Sequence, residues 1–173
     1  MNHLLEAALR YADLGYHVLP LRTNSKLPQT KNGVQDASID TDVIRDWWTV
    51  SANANVGIST KDLFVVDVDF NAIENEEKLL KYLKCTCGGI QFTSNGGRHY
   101  IFKQTSGKSW RNTAGKIANG VDTRGVGGYI VVAPSVVNGN PYSWCTGFEL
   151  CKRIELLPEP PGFLVDMAET MGF

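Results

Sequence analysis

Two aspartates interrupt a valine-rich stretch at residues 65–70, and their spacing suits metal chemistry. Aspartate is uncommon inside strands because its short polar side chain packs poorly there. Side chains alternate faces along a strand, so Asp67 and Asp69 are expected to point the same way, roughly 7 Å apart. Two ionised carboxylates repel unless a cation lies between them, and oxygen ligands suit Mg²⁺ or Mn²⁺. The alternatives are an edge strand whose polar face meets water and a strand that ends in a turn at Asn71.

Basic residues are concentrated further along the chain. Residues 98–124 contain one acidic residue, Asp122, and six basic ones: Arg98, Lys103, Lys108, Arg111, Lys116 and Arg124. The whole chain has a formal net charge of −1, so this basic character is local. A local basic segment is what phosphate binding requires, and a solvated strand and loop surface is the alternative.

Length and composition are ordinary for a globular protein. The 173 residues are expected to form one domain, residues 1–173, with a sizeable core. No apolar run approaches about 20 residues, so no membrane span is expected. The N-terminus lacks the basic and then apolar pattern of a secretory signal. These features predict a cytoplasmic protein.

The four cysteines, Cys85, Cys87, Cys145 and Cys151, are expected to be free thiols in a cytoplasmic protein. A zinc site is the alternative. The single residue between Cys85 and Cys87 is a shorter gap than zinc sites usually have, which argues against zinc.

Helices and strands must position these residues. Helical spacing and caps predict helices at residues 3–14, after Asp40 or Thr41, at 74–84 and from about 160. Strands are predicted at residues 16–21, 55–59, 65–70, 90–93, 98–103, 116–122, 128–133 and 142–145. Residues 94–97 are predicted to form a turn that makes a hairpin of its flanking strands. Trp47 and Trp48 are predicted to anchor the core, with base-stacking platforms as the alternative. Strands interspersed with a few helices indicate an α+β fold.

Three motifs resemble those of the bifunctional DNA primase-polymerase domain of the archaeo-eukaryotic primase superfamily. They are residues 65–69, residues 93–99 (Thr-Ser-Asn-Gly-Gly-Arg-His) and residues 120–125 (Gly-Val-Asp-Thr-Arg-Gly). They occur in the family's order, and residues 128–135 follow them with an Ala-Pro-Ser end. The similarity extends from the N-terminal helix to about Tyr142.

The resemblance implies a fold and a catalytic site. The implied fold is a primase-like catalytic core, in which an RRM-like antiparallel sheet packs against an N-terminal α/β unit. In the family an acidic pair and a third aspartate bind two divalent ions, and a histidine contacts the incoming triphosphate. The corresponding residues are Asp67, Asp69 and Asp122 for two Mg²⁺ or Mn²⁺ ions, and His99 for the triphosphate.

Further contacts are expected around these catalytic residues. Phosphate contacts are expected at Ser94, Gly96, Gly97, Arg98, Arg124 and Lys26, and template contacts at Lys103, Lys108, Arg111 and Lys116. For Arg124 the alternative is a salt bridge to Asp122 or to another acid of the metal site. For Lys26 the alternative is an ordinary surface lysine.

The implied function is a metal-dependent nucleotidyltransferase that extends a primer on single-stranded DNA with dNTP or NTP. A template-independent terminal transferase and a non-catalytic DNA-binding replication initiator are the alternatives. A helicase domain or subunit is an expected partner, and a plasmid, phage or other mobile element is an expected source.

Overall fold

A computed structural model describes residues 2–173. The helices are α1 His3–Asp13, α2 Thr41–Val50, α3 Glu77–Thr86 and α4 Gly162–Met171. The strands are β1 Val18–Leu21, β2 Asn55–Ser59, β3 Leu63–Val68, β4 Gly89–Phe92, β5 Arg98–Lys103, β6 Thr113–Ala118, β7 Val121–Arg124, β8 Tyr129–Val132, β9 Val136–Val137, β10 Asn140–Pro141 and β11 Ser143–Trp144. Short 3₁₀ helices occupy Gly33–Asp36, Phe70–Ala72 and Ile154–Leu156.

Side-chain caps determine where the first two helices begin. The Asn2 side chain accepts hydrogen bonds from the first amides of α1, and Asp40 does the same for α2. Of the two predicted caps for α2, Asp40 and Thr41, the cap is therefore Asp40. Trp48 is buried and donates its indole N–H to the Ala54 carbonyl at 2.9 Å, so its predicted core role is confirmed. In residues 2–173 no helix has both the length and the apolar character needed to cross a membrane.

All strand pairings in the described chain are antiparallel. The larger sheet has six strands in the order β11-β4-β5-β3-β7-β6, and a second sheet has the order β1-β2-β8. Strands β9 and β10 form a separate hairpin. Four helices combined with antiparallel sheets confirm the predicted α+β class.

The six-stranded sheet lies between two apolar layers. On one face Val66 and Val68 of β3 pack with residues of α3 and α4, including Leu83 and Leu164. On the other face Val65 of β3 packs with residues of α1, α2, β2 and β8. The alternation of β3 side chains therefore places Asp67 on the face that meets the N-terminal elements.

Two strand predictions are wrong, and both errors concern the candidate site. The strand predicted at residues 116–122 is two strands, β6 and β7, because Asn119 and Gly120 form a tight turn in which Gly120 has a φ of +75°. Strand β3 ends at Val68, so Asp69 lies just beyond it, where the 3₁₀ helix Phe70–Ala72 begins. Because of the turn, β7 pairs with β3 and Asp122 lies opposite Asp67. Because β3 ends at Val68, Asp69 lies outside the sheet.

Candidate active site

A row of polar side chains crosses the six-stranded sheet on the face toward α1. Gln91 of β4 lies opposite His99 of β5, His99 lies opposite Asp67 of β3, and Asp67 lies opposite Asp122 of β7. Residues directly opposite one another in antiparallel strands share a face, so these four side chains are neighbours. Strand register therefore brings together three residues that are distant in the sequence and that the motifs predict to be catalytic.

Asp67 is the centre of this row. Its Oδ1 atom lies 3.4 Å from His99 Nε2, and its Oδ2 atom accepts hydrogen bonds from Arg124 Nη2 at 3.1 Å and Nε at 3.3 Å. Burial by itself raises the pKa of the Asp67 carboxyl, but the hydrogen bonds from His99 and Arg124, together with the positive charge of Arg124, outweigh it and lower this pKa to about 2. Asp67 is therefore ionised throughout the physiological pH range.

Arg124 lies between the two carboxylates of the row. One guanidinium nitrogen, Nη2, is 3.1 Å from Asp67 Oδ2 and 3.3 Å from Asp122 Oδ2. The other Asp122 oxygen accepts a hydrogen bond from the Gly115 backbone N–H at 2.8 Å. The structure thus shows the predicted salt-bridge alternative for Arg124. The cation that offsets carboxylate repulsion in this structure is a guanidinium, and the two carboxylate oxygens converge on it.

Asp69 does not join this group. It is exposed, its backbone N–H donates to the Gly120 carbonyl, and its Cβ lies about 3.5 Å from where a Cβ on Gly120 would be. Across residues 2–173, no three His, Cys, Asp or Glu side chains are arranged to bind one metal ion. The structure therefore brings two of the three predicted metal ligands together, and Asp69 stays a predicted ligand on the adjoining turn.

The turn after β4 contains a buried hydroxyl that has no hydrogen-bond partner in the described chain. It belongs to Ser94, which is 8% exposed. Gly96 adopts a φ of +81° in the turn, and a Cβ on Gly97 would lie 2.6 Å from the Val68 carbonyl oxygen. Turn geometry and close strand contact therefore explain the two glycines, whereas Ser94 offers a free donor.

Arg98 lies on the opposite face of the sheet from His99. Its pairing partner is Phe92, and its guanidinium carbon lies 5.9 Å from the centre of the Phe92 ring. Adjacent residues in a strand point to opposite faces, so this separation from His99 follows from the strand geometry. The structure does not bring Arg98 to the row of polar side chains.

A cleft of about 290 Å³ opens beside the row. Asp67, His99 and Arg124 line it together with Lys26, Tyr129 and Tyr142, among others. The Tyr129 hydroxyl donates to the Lys26 carbonyl at 2.8 Å, which positions the Lys26 loop at the cleft. The structure therefore places Lys26, predicted from resemblance alone, at the candidate site.

Three of the four residues predicted to bind template contact the C-terminal segment of the chain. The contacts join the Lys103 ammonium to the Glu155 carbonyl, Lys108 to the Glu169 carboxylate, and Lys116 to the Met171 carbonyl. The fourth, Arg111, is exposed. Half of the six basic residues in 98–124 thus contact the C-terminal segment.

Gln91 is the site residue that the sequence interpretation missed. It is fully buried, and its side-chain nitrogen lies 2.8 Å from the Val131 carbonyl oxygen and 3.0 Å from His99 Nδ1. Its side-chain oxygen accepts from the Ala133 backbone N–H at 2.8 Å. A polar amide in a short apolar strand that pairs with the His99 strand is the signal that could have indicated it.

The four cysteines are free thiols. Cys85 and Cys151 are exposed, and Cys87 and Cys145 are partly buried. Burial raises the pKa of the Cys87 thiol to about 11, so it is protonated at neutral pH and is a poor nucleophile.

The depressed pKa of Asp67 predicts a pH dependence of stability. The carboxyl has an ordinary pKa of 3.8 when the chain is unfolded and about 2 when it is folded. Its stabilising contribution is therefore present above about pH 4 and lost as the pH falls toward 2, by an amount of the order of 2 kcal/mol. We expect the difference in free energy of unfolding between wild type and Asp67→Asn to decrease by this amount from pH 5 to pH 2. Urea unfolding at both pH values measures it.

Asp62→Asn is the matched control for this experiment, because Asp62 is exposed and its nearest cation, Lys61 Nζ, is 4.0 Å away. The free-energy difference between Asp62→Asn and wild type should change by less than about 0.5 kcal/mol over the same range. A wild-type advantage over Asp67→Asn that is equal at both pH values would contradict the assigned contacts of Asp67.

Comparison with known proteins agrees with the motifs. The family described as bifunctional DNA primase/polymerase, N-terminal (Prim-Pol), matches residues 8–160 of the 173. No curated protein matches the sequence. The matched range includes every residue of the polar row and most of the chain. The resemblance inferred from the three motifs is therefore confirmed, and the chain belongs to the Prim-Pol family of bifunctional DNA primase/polymerase N-terminal domains.

Proposed function

We propose that the cleft beside Asp67 is a nucleotidyltransferase site that extends a primer on a single-stranded DNA template with dNTP or NTP. Membership of the family implies primase/polymerase activity in general, with DNA and nucleotides as substrates. The observation that carries the finer proposal is the pairing of Asp67 and Asp122 across β3 and β7, with His99 on the other side of Asp67. This pairing places oxygen atoms that can bind a metal ion and an imidazole N–H that can donate a hydrogen bond to phosphate on the same face of one sheet.

The chemistry of the two carboxylates fits a divalent cation. Their Oδ2 atoms already share one cationic nitrogen of Arg124, and Mg²⁺ and Mn²⁺ prefer such oxygen donors. Asp67 and Asp122 would bind the metal, and Asp69 on the adjoining turn is the proposed additional ligand. When bound, such ions would supply the positive charge that activates a primer 3′-hydroxyl and neutralises the leaving pyrophosphate.

The neighbouring side chains would bind the triphosphate. His99 Nε2 and the unpartnered Ser94 hydroxyl can each donate a hydrogen bond to a phosphate oxygen. Arg124 is only half-buried, so it can leave the carboxylates when a metal replaces it and bind phosphate through two parallel N–H groups. Lys26 would add a positive charge from the loop at the cleft.

The layered fold supports a primase-like core. The six-stranded antiparallel sheet has α3 and α4 on one face, while the N-terminal elements pack on the face that contains the polar row. This arrangement supports our proposal of an RRM-like sheet packed against an N-terminal α/β unit, with the active site on the sheet.

Incorporation of a labelled nucleotide on a primed single-stranded template, with Mg²⁺ or Mn²⁺, tests the proposal. We expect template-dependent extension at low salt, and little product from an unprimed circle, because starting a primer requires a second nucleotide beside the first. No incorporation with either ion would contradict the proposal. Equal incorporation without a template strand would indicate a terminal transferase instead.

Template binding should be weak, with a shallow salt dependence. Three of the six basic residues in 98–124 contact the C-terminal segment and Arg98 stacks on Phe92. In the absence of nucleotide we therefore assign the template phosphates to Arg111, Arg124 and Lys26. Three phosphate contacts predict a log–log slope of about −2 for single-stranded DNA, whereas six contacts would give a slope of about −4. Fluorescence anisotropy with a labelled oligonucleotide at increasing salt measures this slope, and a value near −4 would contradict the assignment.

A further inference from the structure

We propose that Gln91 is a positioning residue that fixes the tautomer of His99, so that the His99 Nε2 atom presents its proton to the cleft. Gln91 touches neither the cleft nor the carboxylates, and it acts through His99. The tautomer assignment follows from hydrogen bonds within the chain, and only its consequence for catalysis rests on the proposed function.

The orientation of the Gln91 amide is determined by two backbone groups of the segment that contains β8. The Val131 carbonyl can only accept a hydrogen bond, so it must face the Gln91 NH₂ group, at 2.8 Å. The Ala133 backbone N–H can only donate, so it must face the Gln91 side-chain oxygen, also at 2.8 Å. Gln91 is fully buried, which makes the flipped amide, with both of these contacts mismatched, costly.

This orientation determines which imidazole nitrogen carries the proton. The Gln91 NH₂ group has a second N–H, and His99 Nδ1 lies 3.0 Å from its nitrogen. Nδ1 must therefore accept, and a neutral imidazole that accepts at Nδ1 carries its proton on Nε2. The position of Asp67 Oδ1, 3.4 Å from Nε2, agrees with a donor there. In the other tautomer, the Nδ1–H group would face an N–H group of Gln91, and the lone pair of Nε2 would face a lone pair of Asp67 Oδ1.

The tautomer matters because phosphate oxygens at neutral pH are acceptors. A neutral His99 with its proton on Nε2 donates to such an oxygen, whereas the other tautomer presents a lone pair and repels it. His99 is 5% exposed, and the Tyr142 ring lies 6.3 Å from the imidazole, so the ring has little room to reorient. Gln91 also joins the two larger sheets, because β4 belongs to the six-stranded sheet and β8 to the three-stranded one.

The tautomer can be measured without substrate or metal. In ¹⁵N-histidine-labelled protein, long-range ¹H–¹⁵N correlation spectra at pH 8 distinguish the two neutral tautomers, and His99→Gln assigns the signal among the three histidines. We expect His99 of the wild type to be in the Nε2–H form. A wild-type His99 in the Nδ1–H form would overturn the proposal, whatever any variant of Gln91 does.

The variant Gln91→Met keeps the side-chain length and removes the hydrogen bonds. Gln104→Met is the matched control, because Gln104 is a partly buried glutamine that also donates to backbone carbonyls, those of Leu63 and Trp110. Gln91→Met should show both tautomers of His99 and a fall of about tenfold to a hundredfold in kcat/KM for the nucleotide, mainly through KM. Gln104→Met should keep the wild-type tautomer and nucleotide KM even if its melting temperature falls.

The two readouts separate the possible failures. A pure Nε2–H form in a folded Gln91→Met protein would overturn the role of Gln91 in fixing the tautomer. A changed tautomer with an unchanged nucleotide KM would overturn its role in positioning His99 for nucleotide. A wild type that incorporates no nucleotide yet contains the Nε2–H form would refute the proposed function while confirming the assigned hydrogen bonds.

Discussion

Replacing Asp67 with asparagine should lower the rate of nucleotide incorporation by at least about a thousandfold. Asp67 is the only member of the polar row that contacts both His99 and Arg124, and its charge would also be required to bind a divalent ion. Asparagine preserves the shape of the side chain but removes the negative charge and one acceptor. Initial rates on a primed template at saturating Mn²⁺ provide the measurement.

Asp62→Asn is again the matched control, because it removes one carboxylate charge from an exposed turn outside the cleft. Its incorporation rate should stay within about twofold of wild type. Unfolding curves for both variants show whether the chain is folded at the assay temperature. A folded Asp67→Asn protein with a rate within tenfold of wild type would refute the central position of Asp67.

Replacing His99 with alanine should raise the nucleotide KM and lower kcat, with a combined loss of about a hundredfold or more in kcat/KM. The His99 Nε2 atom is directed toward Asp67 and the cleft, so its removal deletes a donor to the triphosphate. Affinity for the single-stranded template should stay within a few-fold, because His99 is not one of the cations assigned to the template. Steady-state nucleotide kinetics and oligonucleotide anisotropy measure the two effects separately.

The His99 variant should also lose stability, because a buried hydrogen bond to Gln91 disappears at a cost of roughly 1–3 kcal/mol. His17→Ala is the control for histidine removal, since His17 is only partly buried and contacts Lys61. Kinetics are therefore compared well below each melting temperature. A large melting shift with unchanged nucleotide KM and kcat would assign His99 a purely structural role.

Local sequence signals predicted most of the secondary structure. The strand at residues 98–103 has the predicted bounds, and the α2 cap at Asp40 is one of the two predicted residues. These features depend on side-chain alternation and on hydrogen bonds within a few residues, which the sequence records directly. The Asn119-Gly120 turn is also local, but its signal was masked because the residues on both sides have strand character.

The site was only partly predictable, because its geometry depends on strand register. The motifs identified Asp67, His99 and Asp122, and the structure brings these three together across the sheet. The position of Asp69 depends on where β3 ends, and the salt bridge of Arg124 depends on the pairing of β3 with β7. A polar residue in an apolar strand could have drawn attention to Gln91, but its partners lie in and just after β8, some forty residues away along the chain, so no local pattern could identify them.

The basic segment illustrates the same limit. A run of charges in sequence indicates a surface, but the fold decides what that surface meets. Lys108 and Lys116 meet residues of the C-terminal helix, Glu169 and Met171, from more than fifty residues away. The sequence shows that these two residues are charged, but only the tertiary structure shows which residues they contact.

The most direct test of the account is anomalous diffraction from Mn²⁺ in crystals grown with a non-hydrolysable nucleoside triphosphate. We expect an anomalous peak within coordination distance of both Asp67 and Asp122, with a phosphate oxygen within hydrogen-bond distance of His99 Nε2. We also expect Arg124 to have moved from the carboxylates to the triphosphate. A peak away from Asp67, or a triphosphate bound outside the cleft while Arg124 still joins Asp67 to Asp122, would contradict the account.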